Sequence, residues 1–199
     1  IFSTFGFNYV EGLRLRTGGR TYFGRNDLWR LEGFLAYGFR DDKFKYGISG
    51  KWLLDKKSRL IISGGNRRDV EQIGASLTTS TDVLGRSFAS SSLVGTGTND
   101  KLTSINLTSA AIEIEPWRNL IMRLSANYRT LESASDTFSL DYIDPTSSTG
   151  VSSEIQQFET SFSLSYFPMR KMTGFGVERY DANDDYARIF AQISIGDKG

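Results

Sequence analysis

Cysteine and histidine are both missing from this sequence. Without thiols the chain forms no disulfide and offers no thiolate to zinc or an Fe–S cluster, and without imidazole it lacks the commonest general base and metal ligand. Proline is scarce, with three in 199 residues. An excess of one charge is missing too: 24 Lys and Arg stand against 23 Asp and Glu, a net of +1, so nothing points to nucleic acid or an acidic polymer as a partner. No apolar run reaches the ~18 residues of a membrane-spanning helix. The opening Ile1-Phe2-Ser3-Thr4 carries neither an initiator Met nor a charged region ahead of an apolar stretch. It reads as an internal or trimmed start, with any signal peptide removed or outside this piece. The length suits one domain or a large part of a bigger one.

What is present is glycine, 20 residues, and aromatics at 13%, a mixture that suits many strands joined by glycine and asparagine turns. Phe44, Tyr46, Ile48, Gly50 and Trp52 alternate with Lys45, Gly47, Ser49 and Lys51. That is the two-residue period of a strand with one polar face. Phe158 to Tyr166 and Leu120 to Arg129 read the same way. Less regular strands are expected at Leu13 to Tyr22, Trp29 to Phe39, Arg59 to Ser63, Thr103 to Ile114 and Tyr186 to Ile195, about eight in all. Connections at Gly24 to Asp27, Asp41 to Asp42 and Asp55 to Ser58 are short, and from the third onward short ones, the next at Glu115 to Asn119, alternate with long ones near residues 64–101 and 131–153. This is the layout of a transmembrane barrel with tight periplasmic turns and long extracellular loops. Gly18-Gly19 and Gly64-Gly65 lack phosphate-loop context and read as strand kinks or bulges.

Alternation alone does not separate a membrane barrel from a soluble ligand-binding one, which turns its apolar stripe inward. The ends of the stripes separate them. Trp29 and Phe39, Phe44 and Trp52, and Phe158 and Tyr166 bracket stripes of smaller residues. Eight to ten residues at ~3.3 Å rise and ~40° tilt climb roughly 20–25 Å, the height of a bilayer's apolar band between its aromatic girdles. The expected fold class is therefore all-β, an antiparallel transmembrane β-barrel occupying residues 1–199, with those six aromatics at the membrane interfaces. Arg14, Arg16, Arg20, Arg30, Lys45, Lys51, Arg123, Arg129 and Arg188 then turn inward, opposed chiefly by Glu32 and Glu159. Such a lumen wall either attracts anions or pairs with acidic loops and fills the barrel.

No catalytic signature emerges. Histidine-dependent nucleophilic catalysis is excluded, and Glu154 and Glu159 carry no sign of raised pKa or a cleft. No cofactor is implied. Asp181-Ala-Asn-Asp-Asp185 spaces oxygens like a calcium loop, but Tyr186 and Gln192 stand where the loop needs Gly and Glu. A solvated turn explains the same residues. Asn106-Leu107-Thr108 lies in an expected strand, so its glycosylation pattern is coincidental.

Asn8-Tyr-Val-Glu-Gly-Leu-Arg-Leu-Arg16, Trp29-Arg-Leu-Glu-Gly-Phe-Leu-Ala-Tyr-Gly38, Lys43-Phe-Lys-Tyr-Gly47 and Arg67-Arg-Asp-Val-Glu-Gln-Ile-Gly74 together resemble a Bacteroidetes outer-membrane family. Its barrel, of unknown function, follows a carboxypeptidase-regulatory-like domain. The closing Gly196-Asp-Lys-Gly199 is similar too. The resemblance implies the bacterial outer membrane and a fragment of a larger barrel, since the regulatory-like domain is absent here and members continue into further strands. It also implies outer-membrane lipid as a partner and a non-enzymatic structural or accessory role in an envelope complex for uptake, secretion or protein insertion, possible partners being that complex's other subunits. A porin passing anions and a soluble ligand-binding barrel are the rival readings.

Overall fold

The computed structural model describes residues 5–24, 26–72, 102–134, 139–143 and 150–198. These form thirteen strands and, among the described residues, no helix: β1 (Phe5–Asn8), β2 (Gly12–Arg20), β3 (Trp29–Gly38), β4 (Lys43–Asp55), β5 (Leu60–Gln72), β6 (Leu102–Trp117), β7 (Leu120–Ser133), β8 (Tyr142–Ile143), β9 (Val151–Ser152), β10 (Glu154–Tyr166), β11 (Met172–Thr173), β12 (Tyr180–Asp181) and β13 (Ile189–Lys198). Nine make one antiparallel meander in the order β1-β2-β3-β4-β5-β6-β7-β10-β13, and β8-β9 and β11-β12 are separate two-stranded ribbons. The sheet is open: among the described residues β1 and β13 are its edges and do not pair with each other.

Several strands outrun their sequence expectation. β5 continues through Gln72, where a long loop was expected from residue 64, and pairs with β6 down to Gln72↔Leu102. β7 likewise continues to Ser133. What remains of the first long loop, 73–101, lies outside the described residues. Nor are the glycine pairs bulges. The register runs unbroken through Gly18↔Phe34, Gly19↔Gly33, Gly65↔Ser49 and Gly64↔Ala110. The two register shifts fall instead at Leu53/Asp55 and Ile114/Trp117, beside short turns.

The inward glycines serve close approach. A Cβ on Gly18 would stand 2.6 Å from the Gly33 carbonyl oxygen and 2.8 Å from the Phe34 Cβ. One on Gly65 would strike the neighbouring backbone at Ile48 and Ser49. Strands pressed this closely on one face allow the sheet to curl. The curl lets the β1–β2 turn reach across: Val10 packs against the pair Val70 and Leu102, on β5 and β6, as does Ala134 just beyond β7.

The two faces carry opposite chemistry, and the register aligns each across strands. One inner row joins Arg16, Ala36 and Lys45, and the next joins Phe34, Gly47, Arg67, Leu107 and Arg129. The outer face carries Leu13, Leu15, Leu31, Leu35, Ile48, Ile62, Ile112, Leu124, Phe162 and Ile193, all exposed. At mid-height it holds a row of small residues, Gly50-Gly64-Ala110-Ala126-Thr160. Arg14 and Glu11, at 1% and 0% exposure, are among the largest fully buried side chains. This inverts the arrangement of a water-soluble sheet, in which apolar groups are buried and charges exposed.

Candidate functional site

The concave face is the candidate site, and its charges come in sets. At the long-loop end, Glu11 in the β1–β2 turn accepts from Asn8 Nδ2 at 2.5 Å, lies 3.1 Å from Arg14 Nη1 and 2.8 Å from Lys45 Nζ. Arg14 Nη1 also reaches Asp69 of β5 at 2.7 Å, and Lys45 pairs with Asp41 of the β3–β4 turn. Further along, Arg67 pairs with Glu71. Arg123 faces Glu113 at 3.5 Å, and Arg129 faces Glu159 at 3.6 Å while its Nε donates to Gln157 at 2.7 Å. The Arg16 guanidinium lies 3.6 Å from the Phe34 ring centroid. Buried charges persist only when paired and hydrogen-bonded.

Of the nine basic residues expected on the inner wall, Arg14, Arg16, Arg30 and Lys45 are buried and Lys51, Arg123 and Arg129 are half-buried. Arg20 takes the inner register opposite Glu32 but is exposed at the strand end. Arg188 falls just before β13, exposed, with its guanidinium 5.5 Å from the Phe167 ring centroid and 4.9 Å from that of Phe190. The acids opposing this set extend beyond Glu32 and Glu159 to Glu11, Asp41, Asp69, Glu113 and Glu178, while Glu71 and Glu115 pair with the further cations Arg67 and Arg179. Glu11, Asp41 and Glu178 sit in connections, where strand periodicity carries no signal; Asp69 and Glu71 lie on a stretch where both faces turn polar, Glu115 near a strand end, and Glu113 between Ile112 and Ile114 on the polar side of an alternation.

All six bracketing aromatics are exposed. Trp29 pairs directly with Trp52, and Trp117 closes β6 at the same, short-turn end. Phe23 stacks on Trp29 with centroids 5.0 Å apart. Tyr166 also ends its strand here, opposite Leu120. The opposite rim holds Tyr37 with Phe39 and Phe44, at centroid separations of 5.2 and 4.8 Å, and Phe158 beside Tyr128. All three tryptophans therefore mark one rim. Beyond the other rim the outer face turns polar, where Asn66 Nδ2 donates to Asn106 and Thr108 and Tyr128 donates to Gln156.

The connection between β10 and β13 forms a second component. Its legs pair as β11 and β12, Arg170 binds Asp181 at 2.5 and 3.1 Å, and Gly174 turns the chain at φ 88°. The tip of this tongue, Gly174 to Arg179, crosses the concave face at the short-turn end. Val177 buries itself against Leu53 of β4 and Ile61 of β5. The Val177 amide donates to Asp27 O at 2.6 Å and the Phe175 amide to Asn26 Oδ1 at 3.0 Å. Arg59 donates to Gly176 O at 2.6 Å, Glu178 pairs with Arg30 and Arg179 with Glu115. Gly176 is obligatory, because a Cβ there would lie 2.7 Å from Asn26 backbone.

Burial opposes the Glu178 charge, but the Arg30 hydrogen bond and the charges of Arg30, Lys51 and Arg20 hold its carboxyl below the ordinary range. The Arg170 hydrogen bond, helped by Tyr186, does the same for Asp181. Asp181 and Asn183, expected in a solvated turn, thus spend their oxygens inside the tongue, Asn183 Oδ1 accepting from the Lys171 amide at 2.7 Å. Among the described residues no cluster of three or more Asp or Glu is arranged to hold a metal ion.

Compared with known protein families, characterised proteins and solved structures, the chain finds no significant match.

Proposed function

We propose that this chain forms part of the wall of a bacterial outer-membrane β-barrel and acts without catalysis, as a structural or accessory subunit of an envelope complex for uptake, secretion or protein insertion. The observation that carries the location is the inverted polarity of the sheet, with aliphatic side chains outward and Arg14, Glu11, Lys45 and Asp69 buried. In water each exposed Leu or Ile forgoes ~1.5–3 kcal/mol of burial. Across the outer belt that exceeds the ~5–15 kcal/mol net stability of a typical domain. Facing hydrocarbon, the same side chains lose nothing. The aromatic rims and the resemblance to a Bacteroidetes outer-membrane family favour the same location.

The envelope-complex role rests on that resemblance and on the paired interior. An anion-passing porin needs unbalanced positive charge along its path, whereas the inner cations here meet acids at nearly every level. A soluble ligand-binding barrel needs an apolar interior, and the inner face instead carries charges.

The test is membrane fractionation of native cells, then mass spectrometry of what co-purifies with the full-length protein in mild detergent. Recovery in the outer-membrane fraction with stable partners is the expected result. A lone barrel there returns weight to the porin, and recovery in a soluble fraction overturns the membrane assignment.

A further inference from the structure

The tongue's contacts join elements remote in the chain and close the concave side at one level only. Its tip spans from β3 and the β2–β3 connection, through Arg30 and Asn26, to Glu115 of β6. Beneath it Leu53 is 3% and Ile61 7% exposed. The attachment is mixed: one apolar anchor, Val177, hydrogen bonds of the Val177 and Phe175 amides and of Arg59, and an ion pair on either side, with Arg30 of the first pair buried and Glu178 37% exposed. A purely structural filler would need no charge; ion pairs on both flanks turn to repulsion when one charge changes sign, which loosens a tip that its hydrogen bonds and Val177 alone must then hold.

We propose that the tongue tip, Gly174 to Arg179, is an internal stopper, latched by Arg30–Glu178 and Glu115–Arg179, that shuts the tryptophan-rimmed end of the concave face to ions and small solutes. As a barrier in a pore it rests on the membrane-wall reading above; as a cover over Leu53 it does not. The latch works by opposite charge, so a single reversal turns attraction into repulsion. Glu178→Lys sets a cation against Arg30, Lys51 and Arg20, the groups whose charges act on Glu178. The reciprocal swap, Arg30→Glu with Glu178→Lys, re-forms the pair with its sign inverted.

The experiment uses the full-length protein carrying Leu53→Cys as its only thiol. Labelling by a water-soluble maleimide should be slow, should quicken about tenfold or more with Glu178→Lys, and should slow again in the swap. In planar bilayers the parent should be nearly silent, Glu178→Lys should show current steps, and the swap should be silent. Unchanged labelling in Glu178→Lys overturns the stopper in any environment. A labelling change without a change in current overturns its role as an ion barrier. Failure of the protein to insert, with labelling still responsive, sinks the membrane reading and leaves the cover intact. Should Glu178→Lys fail to fold, Arg179→Glu, which opposes Glu115, gives the same readouts.

Discussion

Arg14 of β2 and Asp69 of β5 meet at 2.7 Å although β3 and β4 lie between their strands. A flat sheet would hold strands three places apart at ~14 Å, so this contact reports the curl directly. Asp69→Asn leaves Arg14 with Glu11 alone, and Arg14→Met strands the Asp69 carboxylate, while Glu11 keeps Lys45 and Asn8. Breaking a buried pair from one side costs ~3–5 kcal/mol. Denaturant unfolding in detergent should therefore show Arg14→Met losing several kcal/mol and the double variant Arg14→Met/Asp69→Leu losing less. Additive losses would mean the pair is not coupled.

The solvent of the outer face can be read from a charge placed on it. Leu35 points outward and is 49% exposed. Leu35→Arg should cost ~2–4 kcal/mol if that face meets hydrocarbon at mid-depth. In water an exposed substitution stays within ~0.5 kcal/mol. Ser125→Arg, in the inner register opposite Ser161, is the control for the other face.

Tryptophan emission offers a second reading of orientation. Trp29, Trp52 and Trp117 share one rim, so in vesicles with bromine at defined acyl positions all three should be quenched best by the shallowest label. Replacing any one by Phe should dim the signal without changing its depth profile. A mixed profile would contradict a common rim.

The tongue should respond to acid. Glu178 and Asp181 titrate below their ordinary values in the folded chain, so the docking they support is complete above ~pH 5, where free carboxyls are ionised, and is lost as pH falls through their depressed pKa values. Reaction of Leu53→Cys with an acid-tolerant disulfide reagent should stay flat from pH 8 to ~5 and rise on further acidification. Asp181→Asn should shift the onset of that rise. The exposed setting of Asp181 makes the effect small and weaker in high salt.

Strands with one apolar and one polar face were legible in the sequence: the alternation from Phe44 to Trp52 predicts the core of β4, and Phe158 to Tyr166 that of β10. Legibility failed where both faces turn polar. From Asn66 to Gln72 the outward side chains include Asn66 and Arg68 and the inward ones Arg67, Asp69 and Glu71, so no period remains although the ladder continues. β1, with four residues, is too short for periodicity to register. Most cations of the inner face could be read from their strand positions, but Arg67, on the stretch expected as loop, and several of the acids that meet them could not. Glu11 and Asp41 sit in turns, from which they reach Arg14 and Lys45 three and four residues away, and Glu178 comes from the tongue. Gly176 and Val177 had no local signal at all, since their partners are more than a hundred residues away.

In the main sheet every strand lies beside the long strand next to it in the chain. Loop closure between such neighbours is entropically cheap, so the sheet can grow by adding one hairpin arm at a time to a moving front. Contacts that join distant stretches, Arg14 with Asp69 and Arg59 with the tongue, become possible only after that front has passed and the sheet has rolled. In the time order of assembly the interior charges and the tongue come last, as the bolts that fix a wall already raised.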